Sequence, residues 1–84
     1  GVLPYRYFQV DGIEYLVNDA DPGRKLKHVE NWGQITSTIL DISGVEQDDQ
    51  ANFNCLGSRY TVVDGKMMIK LYGKWYTGIP REKQ

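Results

Sequence analysis

Few residues in this chain could do covalent chemistry, and their neighbours are poorly chosen for it. One cysteine, Cys55, and one histidine, His28, occur among 84 residues. That excludes an internal disulfide and a Cys-rich zinc site, and it leaves nucleophilic catalysis a single thiol and a single imidazole. A reactive thiolate needs a nearby cation or a helix start to lower its pKa. Asn52-Phe53-Asn54-Cys55-Leu56-Gly57 offers neither, so Cys55 reads as a small buried apolar residue. His28, between Lys27 and Val29, reads as a partly exposed surface residue.

Paired carboxylates occur at Asp19 and Asp21 and at Asp48 and Asp49. Acid/base work needs surroundings that push two such pKa values apart, and both pairs lie in polar, turn-rich stretches. Asp19, Asp21 and Gly23 faintly follow a calcium loop, but the closing bidentate glutamate is missing. Neither a Gly-x-Gly-x-x-Gly fingerprint nor a P-loop is present, and the nine glycines are dispersed as turn residues. No metal and no cofactor is expected, and the expected class is non-enzymatic.

The aromatic set is what remains. Two Trp, six Tyr and two Phe make 12% of the chain, and several are sequence neighbours, as in Tyr7-Phe8 and Trp75-Tyr76. Adjacent strand residues point to opposite faces, so both cannot lie in a one-sided core and one member of each pair is expected to be exposed. Exposed rings beside cations suit protein interfaces. The candidate binding residues are therefore Tyr72, Lys74, Trp75, Tyr76, Arg59, Lys70 and Tyr7. The leading expectation is a protein-protein interaction module using an aromatic and basic strand face. A single-stranded nucleic-acid-binding small barrel is the first alternative, since bases stack on rings while lysines meet phosphates. A structural or assembly domain of a virion or similar complex is the second.

Charge is balanced overall and divided along the chain. Ten basic and 11 acidic residues give a net charge of -1, which supplies no global attraction to nucleic acid or an anionic membrane. Residues 1 to 58 carry a net -5 and residues 59 to 84 a net +4, so one basic and one acidic face are conceivable once the chain folds.

The elements that must position these residues are mostly strands. Tyr5 to Val10, then Asp11-Gly12, then Ile13 to Val17 is a hairpin signal, because Asp-Gly accepts the positive φ angles of a type I′ turn. Arg59 to Val63, Asp64-Gly65, Lys66 to Tyr72, a break at Gly73-Lys74, and Trp75 to Ile79 form a three-stranded meander. Within it Met67, Ile69 and Leu71 share the core face. Asp21 as cap, Pro22 as first residue and Gly33 as stop predict a short helix over about 22 to 32, with Leu26, Val29 and Trp32 inward. The β-branched run from Gln34 to Ile42 predicts a strand; the alternative is an α+β fold in which a longer helix over 24 to 42 packs on an antiparallel sheet. The expected fold is mainly β, a small barrel or sandwich of about five to six antiparallel strands.

One domain over residues 1 to 79 is expected, with 80 to 84 as a polar tail or linker. A start at Gly1 suggests a domain of a larger protein or a small accessory protein. No apolar stretch nears the roughly 20 residues of a spanning helix and no signal peptide is evident, so a soluble domain without membrane contact is expected, with a reducing compartment weakly favoured by the lone cysteine.

Overall fold

Three two-residue turns lay out the sheet. In Asp11-Gly12, Asp64-Gly65 and Tyr72-Gly73 both residues have positive φ, with values of 50 and 78, 51 and 77, and 53 and 80 degrees. This is the type I′ geometry whose twist matches that of the strands it joins. In the computed structural model, which describes residues 5–81, the first turn links β1 (Tyr7–Val10) to β2 (Ile13–Val17). The other two link β6 (Arg59–Val63), β7 (Lys66–Leu71) and β8 (Lys74–Pro80). These five strands are the hairpin and meander that the sequence predicts. Three two-residue strands are added: β3 (Gly33–Gln34), β4 (Ser37–Thr38) and β5 (Gln50–Ala51).

All eight join one curled sheet in the order β3-β6-β7-β8-β2-β1-β5-β4. The fold is mainly β. Pairing of β8 with β2 (Leu16↔Ile79, Val17↔Gly78) fuses the hairpin to the meander, and only β4 with β5 is parallel. The curl is visible in the chain path. The two end strands, β3 and β4, are nearly consecutive in sequence, so residues 33 to 38 span the seam between the sheet's margins. Ile35 N–H donates to Ser58 O at 2.9 Å on one side, and Thr36 N–H donates to Asp49 O at 2.8 Å on the other.

The concave side holds the core: Phe8, Val10, Val17, Ile35, Ala51, Cys55, Met67, Ile69 and Leu71, with Tyr15, Phe53, Tyr60 and Tyr76 packed against it. Alternation along β7 puts Met67, Ile69 and Leu71 inside, as the sequence predicts. Tight curvature needs a residue without a side chain at Gly78, where a Cβ would stand 2.9 Å from Phe8 Cζ.

The expected helix over 22 to 32 does not form, and neither does the longer one over 24 to 42. The caps take other partners. Asp21 Oδ1 accepts Gly23 N–H at 2.8 Å in an Asx turn, while its Oδ2 accepts Thr77 N–H at 2.8 Å. Gly23 then turns away from the helical region with a φ of 80 degrees. Arg24 instead exchanges backbone hydrogen bonds of 3.0 and 2.7 Å with Trp75. From there residues 25 to 32 run as an irregular strap to Gly33, which pairs with Tyr60. Because Arg24 lies against β8 and Gly33 against β6, the strap crosses β7 on the convex side. Leu26 and Val29 are half-buried in this strap, whereas Trp32 stays 46% exposed. The strand expected over 34 to 42 survives only as parts of β3 and β4, because the chain changes pairing partner at Ile35.

The fold also extends past its expected end. Pro80 pairs with Tyr15, and Arg81 forms an ion pair with Glu14 and donates to Ser43 O at 2.7 Å. The remainder of the expected tail, residues 82 to 84, lies outside the described residues.

Candidate binding face

Antiparallel register fixes which side chains share the convex face of the meander. Thr61, Met68 and Thr77 form one cross-strand row, since Thr61 pairs with Met68 and Met68 with Thr77. The next row begins at Arg59, which pairs with Gln34. Continued by one residue beyond Tyr60↔Ile69, the β6–β7 register sets Arg59 against Lys70. Lys70 pairs with Trp75, and Trp75 with Arg24. Three cations and one indole therefore cross the sheet side by side.

The indole is not the exposed part. Trp75 is 4% exposed and Met68 is fully buried, because the strap lies over this face. Thr61 Oγ1 donates to Asn31 O at 2.6 Å, and an Arg24 guanidinium nitrogen stands 3.9 Å from Met68 Sδ. Trp75 is a support for its row rather than a contact surface. Tyr7 is likewise withdrawn: it is buried on the convex side of β1, with Arg81 over its ring at 4.6 Å. Tyr76 is half-buried against the core on the concave side.

Of the seven candidates, Arg59, Lys70, Lys74 and Tyr72 remain open to solvent. Lys74, however, paired with the core residue Leu71, is on the concave side of β8 with Tyr76 and away from the Arg59 and Lys70 row. Tyr72 is 90% exposed in the β7–β8 turn, next to Lys74. The structure adds residues that sequence reasoning had assigned to helix faces. Arg24 reaches the same side at the start of the strap, and Trp32 lies under the Arg59 guanidinium at 4.5 Å from its ring centre. That stacking fixes the Arg59 fork in place and leaves its edge free to donate. A helical reading put Trp32 inward; Gly33, taken as a helix stop, instead allows the close pairing with Tyr60 that brings Trp32 to the margin.

Among the described residues the ion pairs are Arg6 with Asp19, His28 with Glu30, and Arg81 with Glu14. None engages Arg24, Lys25, Lys27, Arg59, Lys70 or Lys74. The acidic groups gather elsewhere. Asp48 Oδ1 accepts Gly12 N–H at 2.8 Å and Gln9 Nε2 at 3.1 Å, which holds its carboxyl below the usual range. Tyr60 donates its hydroxyl to Asp49. Burial, that bond, and the charges of Asp49, Asp11 and Asp48 all push the phenol up, so it stays protonated. The Asp11, Asp48 and Asp49 charges thus gather at Tyr60, whose side of β6 is opposite to that of Arg59.

Covalent chemistry gains no support from the geometry. Cys55 lies in the core, and desolvation, opposed by Arg6, pushes its thiol up to about 12. His28 is solvent-exposed and its Nε2 stands 3.4 Å from Glu30 Oε1. The Asp19 and Asp21 pair is divided, one carboxylate on Arg6 and the other on Thr77 and Gly23. Among the described residues no group of three or more His, Cys, Asp or Glu side chains is placed to hold a metal ion.

Comparison with family models, with curated proteins and with solved structures finds no match for this chain.

Proposed function

We propose that this chain is a non-catalytic interaction module that holds an acidic segment of another protein against the convex face of β6, β7 and β8. The carrying observation is the row of Arg59, Lys70 and Arg24, in which no cation stands within ion-pair distance of an acidic group among the described residues, although Arg24 feels the Asp21 carboxylate at longer range. Like charges side by side repel; a carboxylate-bearing partner relieves that repulsion and finds a guanidinium already oriented on Trp32. Trp75, buried between Lys70 and Arg24, supports the backbone under the row. Tyr72 and Trp32 supply exposed aromatic area at two margins of the face.

A protein partner is favoured over nucleic acid by the burial of Trp75, which removes the ring best placed to stack a base between phosphate-binding lysines. Fluorescence anisotropy with a labelled glutamate-rich peptide tests the reading. Affinity is expected to fall as salt rises, and the double charge reversal Arg59→Glu with Lys70→Glu is expected to weaken binding by at least about tenfold. Equal affinity in the reversed protein, or tighter binding of single-stranded DNA than of the peptide, contradicts it.

A further inference from the structure

The two margins of the sheet are protected unequally. At the β3 margin the strap is tied down by the Thr61–Asn31 bond and the Gly33↔Tyr60 pairing. At the β4 margin nothing comparable is present among the described residues. The backbone of residues 37 to 41 alternates there. Ser37 N–H donates to Asp49 O at 3.4 Å, Ile39 N–H donates to Ala51 O at 2.9 Å, and Asp41 O accepts Asn52 Nδ2 at 2.9 Å. Those groups face inward to β5 and its continuation. Thr38 and Leu40, between them, turn their N–H and C=O groups outward, and no described residue bonds them. Side-chain exposure alternates in step, with Thr38, Leu40 and Ile42 exposed. Leu40 is 99% exposed and Ile42 is 73% exposed. Residues 37 to 42 include no lysine and no proline, two of the usual devices that keep an edge strand from pairing.

We infer that the β4 margin is the pairing site for a second copy of this chain, joined antiparallel about a two-fold axis at Ile39. The occupant must be extended backbone, because what the edge presents is an alternating row of donors and acceptors that no described residue pairs. Its own sequence meets that demand. With the axis at Ile39, Thr38 exchanges both hydrogen bonds with Leu40 of the second copy, and Leu40 does the same with Thr38. Each exposed Leu40 side chain then lies across the methyl group of a threonine, the sort of cross-strand pair that stabilises sheets. The turn from Asp41 to Gly44, closed by Gly44 N–H on Asp41 O at 3.3 Å, ends the ladder on both sides and keeps the contact closed rather than fibrous. Asp41 stays ionised, its Oδ1 accepting Ser43 N–H at 2.9 Å and the Ser43 hydroxyl at 2.6 Å, but with the axis at Ile39 it stands opposite Ser37 of the second copy and not opposite another carboxylate. A net charge of -1 sets up little long-range repulsion between copies.

This contact is separate from the basic face, so the two readings fail separately. Sedimentation velocity on the intact chain over rising concentration should show a reversible shift from 9.6 kDa toward twice that mass. A ladder this short gives weak association, read up to about 1 mM. Leu40→Lys should weaken association at least about tenfold. Its thermal midpoint should not change, because the side chain it replaces touches almost nothing in the single chain. Amide exchange at Thr38 and Leu40 should slow as concentration rises. A single-chain mass at every concentration overturns the inference, and so does a dimer that Leu40→Lys leaves intact.

Discussion

Trp75 is where the residue-scale reading changed most. The sequence placed it beside Tyr76 and predicted that one of the two is exposed; they do lie on opposite faces of β8, but Trp75 is buried and Tyr76 half-buried. What no local pattern could show is that the convex face has its own cover, supplied by a strap more than forty residues earlier in the chain. Trp75→Ala is therefore expected to lower stability by about 3–5 kcal/mol in chemical denaturation, with loss of peptide binding following from loss of fold. A stable Trp75→Ala protein contradicts its burial. Cys55 was legible outright, since its neighbours lacked any device for activating a thiol. With the thiol pushed up to about 12, labelling by a disulfide exchange reagent at pH 8 should be slow and should track unfolding by denaturant; immediate labelling of the folded chain contradicts this.

At the scale of elements, legibility followed the range of the deciding interactions. Asp-Gly turns flanked by alternating residues are local signals, and both hairpins they mark are present. Residues 21 to 42 carried equally clear local signals for a cap, a first turn and a stop, yet form no helix, because the partners of Asp21 and Arg24 come from β8. The Asp21 carboxylate gives a measurable consequence. Thr77 N–H above all, then Gly23 N–H, hold its pKa below the ordinary 3.8, so the unfolded chain binds this proton more tightly than the folded one. Its stabilisation is complete above that ordinary value and is lost as pH falls through the lower, folded one. The gap in thermal midpoint between the parent chain and Asp21→Asn should accordingly be constant from pH 7 to about 5 and close on further acidification. A gap that is unchanged at pH 3 argues against the bond. Gly33 tests the strap's far end. A Cβ there would run into the Tyr60 ring, so Gly33→Ala should cost about 2 kcal/mol or more by displacing Tyr60 from Asp49, whereas Gly→Ala at an unconstrained site costs little.

For the whole molecule, the opposed charges of its two sequence segments were visible in composition, but their meaning was not. Folding carries Arg24 out of the acidic segment and sets it in one row with Trp75, Lys70 and Arg59, while Asp11, Asp48 and Asp49 collect around Tyr60. Sequence distance hid this because β3 and β4, consecutive in the chain, occupy opposite margins of the sheet. The most direct measurement of the proposed role is a backbone amide NMR titration of the intact chain with the glutamate-rich peptide at low salt. Shifts concentrated at Arg24, Trp32, Arg59 and Lys70, and abolished by the double charge reversal, are the expected result. Shifts centred on Asp11 and Asp48, or no shifts at all, would contradict a basic docking face.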